Sequence, residues 1–276
     1  MDELGLRKQG IPPTQTPDSG FSAQPIVRAQ RPQGRSTGSV LASKNHILRR
    51  KQRSSQAAEM RVLHVGCGSN TSIRLHPIFQ LPQWSEVRVD IDESTRPDII
   101  GSLVELEPWV ENESCDAIWA SHVLEHLSRH ELPKALNEFR RVLVPTGFAL
   151  VRVPDIETVA QYILDGRICD VIYTSPAGPI TPLDMLYGHG ASIERGHHAM
   201  RHGTAFTQDL LAQVLLDAGF VEVRTSRTET HEVWALALMP ASEVDGILCD
   251  LASTGLNLRD DASHEPHIQN LSAMLS

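Results

Sequence analysis

The stretch VLHVGCGSN, residues 62–70, places two glycines at the end of an apolar, strand-like run. A G-x-G turn lets the backbone reverse sharply and approach a ligand, because a Cβ at either glycine would obstruct it. We therefore expect the amides around Gly66, Cys67 and Gly68 to point at a ligand beyond the carboxyl end of a sheet. Asp90 ends the next predicted strand, where a carboxylate can accept hydrogen bonds from the two hydroxyls of a ribose. This pattern predicts nucleoside binding.

The glycine spacing also separates two classes of nucleotide. A nicotinamide-binding fingerprint needs a third glycine so that a helix can approach the pyrophosphate, and that position here is Thr71. The sequence therefore favours a ligand without phosphates. A nicotinamide-dependent dehydrogenase remains as a more distant alternative, and so does a tight turn that binds nothing.

A second chemical candidate is the segment SHVLEHL, which spaces His122 and His126 four residues apart. If this segment begins a helix, both side chains lie on one face. Histidine titrates near neutral pH, so either residue could take a proton from a reacting group. Hydrogen bonding at the start of the helix is the structural alternative. Because Glu125 adjoins the second histidine, unlike the glutamate of H-E-x-x-H, we predict that no metal ion is bound.

Residues 156–206 are rich in Gly, Pro and His and show little periodicity. A segment of this length between regular elements is typical of a lid or a substrate-binding insertion. We expect its histidines to line a substrate pocket, with an exposed loop and a metal site as the lower-ranked alternatives. Its candidate catalytic residue is His202. The candidate substrate-binding residues are Tyr187, His189, Arg195 and His198.

Strands and helices must alternate to position these residues. Apolar or alternating runs predict strands at 60–65, 85–91, 115–121 and 148–155. Helical spacing of apolar residues predicts helices at 132–143 and 208–218, the second capped by Thr207 and ended by Gly219. Two further strands follow, joined by a tight turn. This alternation implies an α/β fold whose strands are mostly parallel.

Composition divides the chain of 276 residues, which carries a net charge of −9, into unlike parts. Residues 1–57 hold ten Lys and Arg against three Asp and Glu, and we predict a disordered, basic leader there. Residues 58–240 form the predicted folded domain, and residues 241–276 a peripheral tail. Because the folded part is acidic, a nucleic-acid substrate is disfavoured. No apolar run approaches the ~20 residues of a membrane span, and the four scattered cysteines favour a cytoplasmic protein with reduced thiols.

Four stretches, VLHVGCGSN, VRVDID, CDAIWASHVLEHL and EFRRVLVPTGFALVRVPD, occur in an order and spacing that resemble class I S-adenosylmethionine-dependent methyltransferases. Within that family the chain resembles the methyltransferase type 11 branch with a V-L-E-H box. The resemblance covers residues 60–155 and, more weakly, 204–239. It implies a Rossmann-like, doubly wound sheet of seven mostly parallel strands with helices on both faces, and a lid inserted before the last helix and strand pair.

The resemblance also implies the contacts of the cofactor, S-adenosyl-L-methionine. The glycine turn would lie against its methionine part, Asp90 on the ribose and Ile91 against the adenine. Ser102 and Leu103 would contact the edge and face of the adenine, and Ser121 would lie beside the sulfonium. The implied cofactor-binding residues are thus Gly66, Cys67, Gly68, Asp90, Ile91, Ser102, Leu103 and Ser121.

The function that follows is methyl transfer to a small-molecule, sugar or lipid-type acceptor, with His122, His126 and His202 as catalytic candidates. The alternative is a catalytically inactive protein that binds the cofactor and acts in regulation or assembly. Departures from the family pattern at His64, Asn70 and Ser102 motivate that alternative. Neither the acceptor nor the oligomeric state follows from the sequence.

Overall fold

A computed structural model describes residues 59–69 and 74–258. The predicted basic leader, residues 1–57, lies outside the described residues, and so do Asn70 and Thr71 of the glycine turn. All structural statements below concern the two described ranges.

The described residues form nine strands: β1 (Met60–Val65), β2 (Trp84–Asp90), β3 (Ile99–Ile100), β4 (Cys115–Ser121), β5 (Leu143–Pro154), β6 (Tyr173–Ser175), β7 (Gly178–Ile180), β8 (Glu222–Thr228) and β9 (Glu232–Leu238). Seven of them make one sheet in the order β3-β2-β1-β4-β5-β9-β8. The first five of that order run parallel, and β9 is antiparallel to both of its neighbours. The direction of winding reverses between β1 and β4, which opens a crevice at their carboxyl ends. The predicted doubly wound, mostly parallel sheet is confirmed.

The same residues form six α-helices: α1 (Leu132–Val142), α2 (Ile156–Leu164), α3 (Pro182–Tyr187), α4 (Gly190–Glu194), α5 (Gln208–Asp217) and α6 (Val244–Ser253). Helices α1 and α5 pack their buried side chains into one core with the strands, and α6 packs into a second core. The sheet is therefore covered on both faces. Within the described ranges, every helix falls short of the length and apolar character that a membrane span requires.

Local sequence explains where the two main helices begin and end. The hydroxyl of Thr207 accepts a hydrogen bond from the Leu210 amide at 3.1 Å, as a helix cap should, and Gly219 follows the end of α5 with a φ of +93°. Helix α1 ends at Val142, and β5 begins directly at Leu143. Strand β5 is thus five residues longer at its start than the sequence predicts, because the residues after the helix already pair with β4.

The predicted insertion, residues 156–206, contains regular structure. It is built from α2, the β6–β7 hairpin, α3 and α4, and from a short 3₁₀ helix at His198–Met200. Val159, Ile180 and Met185 form a small core of their own beneath it. Its role as a lid over a substrate stays a prediction.

The region after residue 240 differs from the sequence prediction of a peripheral tail. Leu248 and Leu251 of α6 are buried in the second core beside Trp119 and Trp234. In the sequence, Val244, Ile247, Leu248 and Leu251 recur at helical spacing, so this helix could have been predicted from its apolar face. Trp119 itself is 2% exposed in this core.

Candidate active site

Both glycines of the turn after β1 have left-handed backbone angles, φ +61° at Gly66 and φ +58° at Gly68. A Cβ on Gly66 would lie 2.4 Å from a methyl group of Val123, and a Cβ on Gly68 would lie 2.6 Å from Nη1 of Arg74. The glycines are therefore required by conformation and by close packing within the protein.

Asp90 lies beside this turn at the end of β2. Its Oδ2 accepts a hydrogen bond from the Gly68 amide at 2.7 Å, and its Oδ1 accepts one from the Asp92 amide at 2.9 Å. Oδ2 also lies 4.0 Å from Sγ of Cys67, the limit of a weak thiol hydrogen bond that a stronger donor can replace. Each carboxylate oxygen can therefore accept one further strong hydrogen bond. The Cys67 amide donates to the carbonyl of Val89 at 3.1 Å, so the amides of Cys67 and Gly68 are both engaged within the protein. The expectation that these two amides point at a ligand is wrong, because the end of β2 takes both hydrogen bonds.

The side chain of Arg88 holds the glycine turn in place through hydrogen bonds. Its side chain is 7% exposed, and its guanidinium donates to the carbonyls of Gly68 at 2.5 Å and Arg96 at 2.8 Å. These hydrogen bonds join the loops that follow β1 and β2. The sequence marks Arg88 only as the polar member of an alternating strand, and its role was therefore missed.

The remaining predicted cofactor residues differ in exposure. Ile91 is 59% exposed at the end of β2, whereas Leu103 is 5% exposed and belongs to the main core. The Ser121 hydroxyl, at the end of β4, accepts hydrogen bonds from Nε and Nη2 of Arg152 at 3.0 and 2.8 Å. The Ser102 hydroxyl accepts only a long hydrogen bond, 3.4 Å, from the Val104 amide.

His122 follows β4 with a φ of +51° and links two carboxylates. Its Nε2 lies 2.8 Å from Oε1 of Glu232, and its Nδ1 lies 3.3 Å from Oε1 of Glu125. Burial alone would lower the pKa of His122, but its contacts with Glu125 and Glu232 outweigh burial and raise the pKa to about 9. A protonated imidazole has no lone pair with which to accept a proton, so this geometry suits His122 to orienting the two carboxylates.

Arg152 completes this charged group from β5. Its Nη1 lies 3.6 Å from Oε1 of Glu232, and its guanidinium lies 5.1 Å from the centroid of the Trp234 ring. Two cationic side chains thus face the Glu125 and Glu232 carboxylates at the carboxyl ends of β4 and β5. Neither Arg152 nor Glu232 has a signal in the sequence, because each is one polar residue in an apolar strand.

Glu125 is the centre of the three predicted catalytic histidines. One ligand atom each from Glu125, His126 and His202 lie within 4.8 Å of one another, and the rings of the two histidines are 5.0 Å apart. The Glu125 carbonyl accepts hydrogen bonds from the amides of Gly203 and Thr204 at 2.7 and 3.1 Å, which holds the end of the insertion against this site. The structure therefore brings His122, His126 and His202 together, although the segment does not begin an α-helix: His126 ends a 3₁₀ turn, Leu124–His126, and His122 precedes that turn.

The two histidines of this pair have defined tautomers. Nδ1 of His126 is 3.1 Å from the Arg201 carbonyl, and Nδ1 of His202 is 2.8 Å from the Met185 carbonyl. A carbonyl only accepts, so Nδ1 carries a proton in both rings, and in the neutral form of each ring Nε2 has a lone pair. Burial lowers the pKa of His202, which favours the same neutral form.

In the described part of the chain, the predicted substrate-binding residues do not form one hydrogen-bonded cluster. His189 is buried, and its Nδ1 lies 2.8 Å from the hydroxyl of Ser192, to which Arg195 also donates at 3.2 Å. Tyr187 is 67% exposed, and His198 is exposed as well. Their role in binding a substrate stays a prediction.

A family model and several solved structures are similar to this chain. The family model described as a methyltransferase domain matches residues 42–225. No curated protein matches the chain. Similar solved structures include the CMeT domain of the citrinin polyketide synthase, with 17% identity, 69% of this chain and 48% of that chain covered, and a TM-score of 0.45. The chain thus spans about half the length of that domain.

Two smaller proteins are also similar. For a SAM-dependent methyltransferase from Archaeoglobus fulgidus the identity is 13%, the coverage 65% of this chain and 86% of that chain, and the TM-score 0.43. For 1,6-didemethyltoxoflavin-N1-methyltransferase from Burkholderia thailandensis, solved with its substrate and S-adenosylhomocysteine, the identity is 17%, the coverage 65% and 70%, and the TM-score 0.41. Because the family model matches more than half of the chain, the chain belongs to the methyltransferase domain family, among the class I S-adenosylmethionine-dependent methyltransferases.

Proposed function

We propose that this protein is an enzyme that transfers a methyl group from S-adenosylmethionine to a small-molecule, sugar or lipid-type acceptor. The observation that carries the proposal is the position of Asp90 beside the glycine turn, at the point where the sheet reverses its winding. The hydrogen bond from the Gly68 amide, 2.7 Å long, holds the carboxylate there. One lone pair on each of its oxygens is available for a ribose hydroxyl.

Methyl transfer requires little covalent chemistry from the protein. The sulfonium activates the methyl group by its positive charge, so the enzyme must align the acceptor with the carbon–sulfur bond and exclude water. An acceptor hydroxyl or ammonium must also lose a proton. We assign that step to the His126 and His202 pair, whose Nε2 atoms keep a lone pair, and we assign the orientation of Glu125 to His122.

The insertion would cover the acceptor. It supplies His202 to the site, and its exposed Tyr187, Arg195 and His198 are the groups we propose for contacting the acceptor.

The first test is calorimetric titration of the protein with S-adenosylmethionine and with its demethylated product. We expect micromolar binding of both and a loss of roughly 1–3 kcal/mol of binding free energy in Asp90→Ala, because the ribose hydroxyls lose their acceptor. Asp90→Asn keeps the size of the side chain and one acceptor, and it should lose less. The matched control is Asp170→Ala, which removes a carboxylate paired with Arg167 on the surface. Unchanged affinity in Asp90→Ala would refute the ribose assignment.

A cofactor-binding protein without activity, acting in regulation or assembly, is the second candidate. It is favoured by the engaged amides of Cys67 and Gly68, and by His64, which stands where relatives of this family often carry an acid and pairs with Glu86 at 2.6 Å. Incubation with cell extract and labelled cofactor separates the two candidates. Intact binding with no labelled product would support the inactive protein.

A further inference from the structure

Glu125 is a buried carboxylate with unused hydrogen-bonding capacity. Its side chain is 1% exposed, and among the described residues neither of its oxygens has a hydrogen-bond partner. Nδ1 of His122, 3.3 Å from Oε1, forms an ion pair without the direction of a hydrogen bond. A carboxylate offers about four lone-pair positions, and burying them unpaired is costly. The unpaired oxygens of Glu125 can therefore bind a cation or a hydrogen-bond donor.

The neighbouring histidines point to the nature of that ligand. Both His126 and His202 donate Nδ1–H to a backbone carbonyl, at 3.1 and 2.8 Å, which fixes each ring and leaves Nε2 as an electron-pair donor. Histidines that bind metal ions are held in this way, by a hydrogen bond from the second nitrogen to a carbonyl or carboxylate. Two such rings beside an orphaned carboxylate make a set of three groups that can donate electron pairs to one ion.

We propose that Glu125, His126 and His202 bind a divalent metal ion. Their ligand atoms lie within 4.8 Å of one another. Ligands bonded to one tetrahedral ion at about 2.0–2.2 Å lie about 3.4 Å apart, so the three side chains must close by about 1 Å when the ion binds. Two imidazoles and one carboxylate are the donors that zinc takes in open, catalytic sites. Three protein ligands leave at least one position on the ion for water or for an oxygen of another molecule.

This inference departs from the sequence prediction that no metal is bound. The spacing of Glu125 and His126 alone does not match a zinc motif, because adjacent residues rarely share one ion. The third ligand, His202, comes from the far end of the insertion and reaches the site through the amide contacts of Gly203 and Thr204 with Glu125. The fold alone brings the three ligands together, so the triad could not be recognised from the sequence.

The metal site does not depend on the proposed function, since an ion can bind without cofactor or acceptor. Within the proposed reaction, and resting on it, an ion would occupy the Nε2 lone pairs that would otherwise take the proton. It would instead bind an oxygen of the acceptor and lower the pKa of a hydroxyl, whose proton would pass to solvent. Chelation would then stop methyl transfer and leave S-adenosylmethionine binding intact. Failure to bind that cofactor would instead count against the proposed function alone.

The test is metal binding by the full-length protein after treatment with a chelator. Titrations with ZnCl₂, MnCl₂ and MgCl₂ give stoichiometry and affinity, and CoCl₂ gives a visible absorption band that reports nitrogen and oxygen ligands. We expect one strongly bound Zn²⁺ per chain and a cobalt band. A wild-type protein that binds none of these ions and shows no cobalt band overturns the proposal, whatever the variants do.

Variants locate the ion. Glu125→Gln, which keeps the shape of the buried side chain, and His126→Ala, at a partly exposed position, should each weaken Zn²⁺ binding at least roughly tenfold and alter the cobalt band. The control is His130→Ala, an exposed histidine close in the sequence. Circular dichroism confirms that each variant is folded. If folded Glu125→Gln and His126→Ala bind zinc as tightly as the control, the ion lies elsewhere and the proposal fails.

Discussion

At the scale of single residues, the glycines of the turn serve two purposes: they adopt positive φ, and they leave space for neighbouring side chains. Gly66 and Gly68 have positive φ, which the pattern G-x-G predicts. The sequence does not reveal that Val123 and Arg74 occupy the space where a side chain would stand. Gly66 is therefore tied to the loop after β4, which carries His122.

Replacing Gly66 by Ala should destabilise the protein more than the same change at Gly166. Both glycines have positive φ, +61° and +73°, but a Cβ at Gly166 meets nothing within 4 Å. We expect the left-handed backbone to cost about 1–2 kcal/mol in each variant, and the clash with Val123 to add about 1–3 kcal/mol in Gly66→Ala. Urea unfolding measures the difference.

A second substitution checks the cause of that difference. Val123→Ala in the Gly66→Ala background removes the methyl groups that lie 2.4 Å from the new Cβ, and it should recover part of the lost stability. Equal losses in Gly66→Ala and Gly166→Ala would show that the backbone angle alone makes glycine necessary.

The sequence alone indicated only some of the residues of the candidate site. Asp90 and the three histidines stand in motifs whose spacing survives in the fold, and the structure places His122, His126 and His202 around one carboxylate. Glu232 and Arg152 could not be predicted, because their contacts with His122 depend on strand pairing between residues far apart in the chain. Glu125 stands in the segment SHVLEHL, but its burial depends on how the folded chain packs around it and could not be predicted from that segment.

At the scale of elements, apolar spacing predicted some elements with their observed bounds, but one helix with clear spacing was not predicted. The strand at Cys115–Ser121 was predicted with its observed bounds, since a run of apolar residues between turns has few other solutions. Helix α6 was not predicted, although Val244, Ile247, Leu248 and Leu251 recur at helical spacing. Yet its Leu248 and Leu251 complete the second core of the sheet.

Truncation of Leu251 tests that role. Leu251 is 0% exposed within α6, so Leu251→Ala should cost about 2–5 kcal/mol of unfolding free energy through lost burial and a cavity. The control is Leu164→Ala in α2, where the side chain is 81% exposed and the cost should stay within about 0.5 kcal/mol. Chemical denaturation of both variants decides the matter, and similar midpoints would mean that α6 contributes little to the core.

At the scale of the whole molecule, stability should depend on the protonation of one buried imidazole. His76 is 7% exposed, and its ring lies 5.4 Å from that of Trp119 and 5.6 Å from that of Trp234. Burial, with a smaller contribution from Arg152, lowers its pKa to about 4. The folded protein therefore holds His76 neutral, whereas the unfolded chain binds a proton below about pH 6.5.

Acidification from pH 6.5 to pH 4 should consequently favour the unfolded state. Because the folded pKa lies below the unfolded one, stability is retained above pH 6.5 and falls by up to about 1.4 kcal/mol for each pH unit below it. The comparison is His76→Asn, which can still accept from the Ile78 amide but does not titrate. Over this interval the wild type should lose about 3 kcal/mol more than the variant. Parallel stability curves for the two proteins would contradict the prediction.

The antiparallel strand β9 has one more consequence, which concerns synthesis. The contact between His122 and Glu232 joins two residues 110 positions apart, and Glu232 lies in β9, the last strand of the described residues to leave the ribosome. Until that strand inserts between β5 and β8, His122 lacks one of its two carboxylates. A growing chain can thus pair its first five strands early, but it cannot assemble the charged group of His122, Arg152 and Glu232 before the β8–β9 hairpin is made.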